Sequence, residues 1–281
     1  MKGVLLACLG VLILTPDALL IRLSGLDAIP LVAWRGLGMG SLFLITAALL
    51  GQMRLFSRLA SGTGIALVAA QWANASLFAP AISLAPVALV LIAVATVPIW
   101  AAILSRVLYG QPTQRATWIT IAVVSTGIVI AMSGKSDVAF TTTALVGVLF
   151  GLGVALSLAL SFTLLRHNPE MPLLIAVGTG SALAGLSAFA LSSPQEMLSG
   201  TTSAIAFTSF VVLPLSFYLM SEASRHTASV NVSLVLLLET VLGPLWVWLV
   251  IRETPTPTML IGGTIVVVAL ATYLWHLRRR A

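Results

Sequence analysis

The sequence predicts an all-α membrane protein whose ten transmembrane helices form two inverted five-helix repeats. Of its 281 residues, 59% are hydrophobic and only 8% carry a charge, whereas an ordinary soluble domain is about 25% charged. Ten apolar stretches of nearly membrane-spanning length follow one another, and the second half of the chain weakly repeats the first. This composition excludes a cytosolic enzyme, a disordered tail, a fibrous protein and a disulfide-rich secreted module.

Ten apolar windows mark the predicted helices, each close to the roughly 20 residues that cross a bilayer. They are helices because lipid satisfies no backbone hydrogen bonds, and the two-residue alternation of barrel strands is absent. The first window is interpreted as a span and not as a signal peptide, since it lacks a small-residue cleavage site and carries Pro16 and Asp17 late in the run. Pro80 and Pro86 indicate a tight turn between the third and fourth windows. In chain order the windows are about 3–21, 29–50, 63–83, 87–108, 115–133, 144–165, 172–191, 204–221, 228–251 and 257–276.

Lysine and arginine predict the orientation through the positive-inside rule. With the N-terminus inside, basic residues concentrate on the cytoplasmic side, so we expect both termini to be cytoplasmic in a cell inner (plasma) membrane. The net charge of +6 is then an orientation signal, and no nucleic-acid partner is expected. The cytoplasmic set is Lys2, Arg54, Arg58, Arg106, Arg115, Arg166, Arg225, Arg278, Arg279 and Arg280, against an outer set of Arg22, Lys135 and Arg252, with Arg35 inside a span.

A weak internal repeat appears when residues 85–127 are aligned with residues 227–269 at a constant offset of 142. Pro98 then falls opposite Thr240, one position after Glu239. Two five-helix units are predicted, over residues 1–133 and 144–276, followed by a basic tail over 277–281. Because five is odd, the two units must enter the membrane from opposite sides, an arrangement that many secondary transporters use to present one central site to each face.

Three ionisable residues lie within predicted spans, where each costs roughly 2.5–3.5 kcal/mol at a helix centre. Asp17 and Arg35 sit at similar depth, about 7 Å inside the outer boundary at 1.5 Å per residue, which predicts an ion pair. That pair either locks the first two helices together or acts as an outer gate or substrate clamp. Glu239 lies midway along the ninth window; it is either hydrogen-bonded in the core or a carboxylate that faces substrate or carries a proton.

Uncharged polar residues extend the candidate substrate site. Gln71 and Asn74 are three residues apart and share one helix face. Trp246 follows Glu239 by seven residues on nearly the same face, and Asn231 lies near the start of that helix. These side chains are predicted to bind substrate, although hydrogen bonds between helices are an equal alternative.

Other chemistry has no signature in the sequence. It contains no phosphate-binding glycine loop, no HExxH, no cysteine or histidine cluster and no GxSxG elbow. We therefore expect no catalytic residues, no metal and no cofactor, and an ATP-driven pump is disfavoured. The single cysteine, Cys8, cannot form a disulfide within the chain.

These residues resemble the EamA-type ten-helix exporters of the drug/metabolite transporter superfamily. The stretch 228–246 resembles the signature of the second repeat, with a small-residue start, a leucine run, the mid-helix Glu239 and a following Pro-Leu-Trp. Glu253 matches an acidic residue after that helix, and Asp17 to Arg22 with Trp34-Arg35-Gly36 resembles helices 1 and 2. Thr240 and Gln111 depart from the pattern, standing where the family often has proline and an acidic residue. The resemblance implies a secondary transporter that exports amino acids or other small metabolites from a bacterial cytoplasm.

The predicted function is therefore a secondary active transporter of the inner membrane that exports a small polar or amphipathic, amino-acid-like metabolite. Its expected partners are that small molecule and the lipid bilayer, with protons as a candidate coupling ion and with a monomer or a homodimer both open. An importer or exchanger is the nearer alternative. A lipid scramblase or an intramembrane enzyme is the alternative from another class.

Overall fold

The computed structural model describes residues 2–133, 141–252 and 256–280, and every regular element in these ranges is helical. Ten of the helices are long and apolar enough to cross a membrane. The predicted Lys135 and Glu253 positions lie outside the described residues. In chain order the spans are α1 (Lys2–Leu14 and Asp17–Ser24), α2 (Ala28–Leu49), α3 (Gly62–Leu84), α4 (Val87–Val94 and Val97–Tyr109), α5 (Arg115–Ser133), α6 (Thr142–His167), α7 (Leu173–Leu191), α8 (Thr202–Phe207, a π-helical turn Thr208–Val212, and Leu213–His226), α9 (Ser229–Leu236 and Leu238–Ile251) and α10 (Pro257–Arg280).

Two short helices cap the ends of the bundle. A 3₁₀-helix, Gln52–Ala60, connects α2 to α3, and the four-residue helix Pro194–Met197 lies between α7 and α8. Ser193 caps the latter, accepting a hydrogen bond from the Glu196 backbone N–H while the Glu196 carboxylate accepts one from the Ser193 N–H. This reciprocal capping box fixes the start of the short helix.

The turn between α3 and α4 is tight, as predicted, but its position is set by one proline. Helix α3 continues through Pro80 to Leu84, and the chain turns at Ala85 and Pro86 before α4 begins at Val87. Pro86 fits this position because its fixed φ suits the start of a helix and its missing N–H would have no partner there.

The two halves of the chain carry matching elements 142 residues apart. Both α4 and α9 are interrupted in the middle, at Ala95 (φ −63°, ψ −8°) and at Leu237 (φ −64°, ψ −13°). Both end in a residue with left-handed backbone, Gly110 (φ 66°) and Arg252 (φ 65°). The next helices then begin at Arg115 and at Pro257. This correspondence supports the repeat that the sequence alignment predicts.

Close packing between the halves centres on α2 and α7. A Cβ added at Gly36 would collide with the backbone of Gly185, and one added at Gly40 would lie 2.6 Å from the backbone nitrogen of Ala182. Small residues at these points let the two helix axes approach closely, which is how membrane helices gain packing energy without a hydrophobic driving force. The packing leaves α5 and α10 together at the periphery and a space among seven of the other helices.

Candidate functional site

A cavity lies among seven of the ten spans. Helices α1 to α4, α6, α8 and α9 line it, whereas α5, α7 and α10 do not. Most of its wall is apolar, and its polar side chains are Asp17, Arg35, Gln71, Asn74 and Glu239. The cavity therefore brings together five of the seven residues that the sequence nominates.

Asp17 and Arg35 form the predicted ion pair. Nη1 of Arg35 donates to both carboxylate oxygens of Asp17, at 2.7 and 2.8 Å. The Asp17 side chain is 3% exposed, so its charge has little water to solvate it and relies on the guanidinium. The Cζ atom of Arg35 also lies 5.7 Å from the centre of the Phe78 ring, within the range of a cation–π contact.

A break in α1 positions Asp17 in this pair. Pro16 supplies no backbone N–H, and the helix restarts at Asp17. The Thr15 hydroxyl donates to the Leu12 carbonyl at 2.8 Å, which satisfies one backbone oxygen near the interruption. Asp17 thus begins a helical segment, where the helix dipole favours a negative charge.

Glu239 stands on the cavity wall directly after the break in α9. It is the second residue of the segment Leu238–Ile251 and is partly buried. Within the described ranges its carboxylate accepts no hydrogen bond and forms no ion pair. The neighbouring Thr240 hydroxyl instead donates to the Leu237 carbonyl at 2.7 Å, across the break. The carboxylate is therefore available to a solute in the cavity.

Gln71 and Asn74 lie on the α3 side of the cavity. Nε2 of Gln71 donates to Oγ of Ser181 on α7 at 3.1 Å, which orients the Gln71 amide. Asn74 is 7% exposed, and its side chain has no hydrogen-bond partner in the part of the chain that the structure describes.

Trp246 and Asn231 do not line this cavity; both take part in hydrogen bonds between side chains. Nε1 of Trp246 donates to the Thr15 hydroxyl on α1 at 2.9 Å. Oδ1 of Asn231 accepts from the Tyr273 hydroxyl at 2.7 Å, and its Nδ2 donates to the Thr227 hydroxyl at 2.9 Å. The structure thus places them above and below the cavity on α9.

The apolar part of the lining was not singled out from the sequence. It includes Met39, Phe78 and Phe217, which are ordinary apolar residues in ordinary apolar helices. Phe78 and Met39 had a usable signal, since they lie four residues after Asn74 and Arg35 respectively and therefore on the same helix faces as those polar residues.

Comparison with known proteins agrees with this architecture. Residues 145–275 match the model of the EamA-like transporter family. Twenty-eight chains of solved structures match as well; one of them, a crystal structure of a protein, is 18% identical, has a TM-score of 0.79 and aligns over 99% of this chain and 98% of its own. At that identity the likeness shows the shared fold. A search of curated proteins found no match.

Proposed function

We propose that this chain, whose residues 145–275 match the model of the EamA-like transporter family, is a transporter of the drug/metabolite transporter superfamily that exports a small polar or amphipathic metabolite. The cargo is amino-acid-like in size and polarity, the membrane is the inner membrane, and both termini are cytoplasmic. Protons are the proposed coupling ion.

The observation that carries the proposal is the position of Glu239. A carboxylate at mid-span is costly, and this one lies on the wall of a cavity without a hydrogen-bond partner among the described residues. A carboxylate with a purely structural role would be expected to have such partners. Contact with cargo, or proton transfer, accounts for its retention at this depth.

The distribution of the site between the two halves supports alternating access. Four of the polar residues, Asp17, Arg35, Gln71 and Asn74, come from the first half, and Glu239 comes from the second. A movement of one half against the other therefore changes the distance between Glu239 and the other four. This is the geometry that lets inverted repeats expose one central site to each face in turn.

The proposal is tested by comparing exported metabolites between cells that express the wild-type chain and cells that express Glu239→Gln. We expect the wild-type chain to enrich one or more small metabolites in the medium, and the variant to abolish that enrichment at an unchanged level in the membrane. Glu196→Gln is the matched control, because Glu196 is exposed on the short helix outside the bundle. Wild-type export by Glu239→Gln would remove Glu239 from the mechanism.

A further inference from the structure

An apolar groove lies between α5, α9 and α10, and its lining shares no residue with the lining of the candidate functional site. The last turn of α5 contributes Ala131 and Met132. The other lining residues lie within residues 240–245 of α9, just after the break in that helix, and within residues 259–268 of α10. We call this space the lateral groove.

The lateral groove is continuous with the lipid-facing surface of the bundle. All of its lining residues belong to membrane-spanning helices, and two of them, Leu260 and Val268, are 52% and 58% exposed. Along α10 the groove extends from Met259 to Val268, which is about 13.5 Å at 1.5 Å per residue. One leaflet of a bilayer contains roughly 15 Å of hydrocarbon. The groove therefore opens into lipid and is nearly as deep as one leaflet.

The wall of the groove offers water few partners. Its two hydroxyl groups, on Thr240 and Thr264, donate to the carbonyls of Leu237 and Leu260 in their own helices, each at 2.7 Å. Apolar cavities stay dry, and an unfilled groove loses the dispersion contacts that its walls would otherwise make. A hydrocarbon occupant is therefore favoured over water.

The other half of the repeat fills the corresponding corner with its own side chain. At the offset of 142, Ala131 corresponds to Tyr273 and Met259 corresponds to Thr117. The Tyr273 hydroxyl shares a hydrogen bond with the Thr117 hydroxyl at 3.0 Å and donates to Oδ1 of Asn231 at 2.7 Å, and Tyr273 is buried. An alanine in place of this tyrosine leaves the lateral groove without an equivalent side chain.

The α9 segment beside the groove has little packing against protein. Within Leu238–Ile251, all of which the structure describes, only Gly243 is buried. The corresponding segment of α4, Val97–Tyr109, buries five residues. Because the α9 segment carries Glu239, an occupant of the groove would also support the position of that carboxylate.

We propose that the lateral groove binds one acyl chain of a phospholipid. The lipid belongs to the leaflet opposite the two ends of the protein chain, which is the outer leaflet in the proposed orientation. Its acyl chain lies along α10 and packs against the α9 segment. This lipid site goes beyond the proposed transport function, and it stands whether or not the protein exports a solute.

A tryptophan at the exposed edge of the groove tests the site. Thr264 lines the groove and is exposed, so the indole of Thr264→Trp should occupy the space of the acyl chain. Thr272→Trp is the matched control: Thr272 is an exposed threonine of the same helix, outside the groove, and both hydroxyls donate to the carbonyl four residues earlier. Matching elution profiles and helical content show that both variants are folded.

Native mass spectrometry counts bound phospholipids and protein copies in the same measurement. The full-length proteins are released from nanodiscs of phosphatidylethanolamine and phosphatidylglycerol. We expect the wild-type protein and Thr272→Trp to retain one phospholipid more than Thr264→Trp. Equal numbers in all three proteins, or an equal loss in both variants, would overturn the proposal. A wild-type dimer that Thr264→Trp dissociates would assign the groove to a second copy of the chain and would also overturn it.

A phospholipid with a photoactivatable diazirine at the end of one acyl chain tests where that chain lies. In the same nanodiscs, cross-links on the wild-type protein should concentrate on residues 240–245 and 259–268, and the cross-links on 240–245 should be lost in Thr264→Trp. Leu186 of α7 is the internal reference, because it is 56% exposed and lies outside the groove. Cross-links as frequent at Leu186 as in the groove would overturn the proposal.

Discussion

At the residue scale, the Asp17–Arg35 pair joins α1 to α2 and also lines the cavity. Asp17 is nearly inaccessible and accepts both of its hydrogen bonds from one nitrogen of Arg35. Removing one member of such a pair leaves a charge that is buried and uncompensated, whereas removing both leaves none. The pair therefore couples the two helices energetically, and its contribution can be measured by a double-mutant cycle.

Arg35→Met should lower the free energy of unfolding by about 3–5 kcal/mol, because Asp17 then remains buried without its partner. The double variant Asp17→Leu with Arg35→Met should recover part of that loss. Chemical unfolding of the purified proteins measures both. Strictly additive effects of the two substitutions would show that the pair contributes no coupling.

The sequence predicted how far along each span the candidate residues lie, but it did not predict which side chains surround them. Gln71, Asn74 and Glu239 lie on the cavity wall, and their mid-span positions follow from helix length alone. Trp246 shares a face with Glu239 but lies about 10 Å farther along the axis at 1.5 Å per residue, where Thr15 is its neighbour. Asn231 lies about 12 Å in the other direction, next to Tyr273. The position of a residue along its helix follows from the sequence, whereas the boundaries of the cavity depend on how all the helices pack.

At the element scale, the interrupted helices α4 and α9 connect the repeat to the site. Pro98 follows the break in α4 and removes a backbone donor there. In α9 the corresponding residue is Thr240, and the break at Leu237 is nevertheless present, with the Thr240 hydroxyl bonded to the Leu237 carbonyl. No proline or glycine stands at residues 236–242, so sequence signals for breaks could not predict this one. The break lies 142 residues after the one at Ala95 in α4, so the repeat locates it where local sequence signals do not.

The ends of these two helices make a matched pair for a stability test. Arg252 has φ 65°, and Gly110 occupies the corresponding position at φ 66°, where an added Cβ would have no atom within 4 Å. Arg252→Gly should raise the free energy of unfolding by about 1 kcal/mol, because a residue with a Cβ pays roughly that amount in the left-handed region. Gly110→Ala should lower it by a similar amount. Chemical unfolding that gives the same sign for both substitutions would contradict this account of the helix ends.

At the scale of the whole molecule, close contact between α2 and α7 holds the two halves together beside the cavity. Gly36→Ala should destabilise the protein by about 1–3 kcal/mol, because the added carbon would meet the Gly185 backbone. Gly62→Ala is the matched control, since nothing lies within 4 Å of the added carbon there. The stabilities of the two variants are compared by thermal unfolding. Equal stability would show that α2 and α7 are not packed as closely as the structure indicates.

The even number of spans predicts that both ends of the chain lie on one side of the membrane, and the positive-inside rule predicts that this side is the cytoplasm. A reporter protein that fluoresces only in the cytoplasm should therefore be bright when it is fused at either end. Fluorescence from one fusion and not from the other, at equal expression, would contradict ten spans.

The accessibility of position 239 tests the central claim most directly, namely that Glu239 faces a cavity that holds the cargo. In a Cys8→Ser background, Glu239→Cys should react with a small charged thiol reagent at least about tenfold faster than Leu237→Cys, because only a thiol in contact with water ionises and reacts readily. Leu237 is 1% exposed and lies two residues earlier on the same helix. Equally slow reaction at both positions would show that residue 239 is enclosed by protein and would contradict the account.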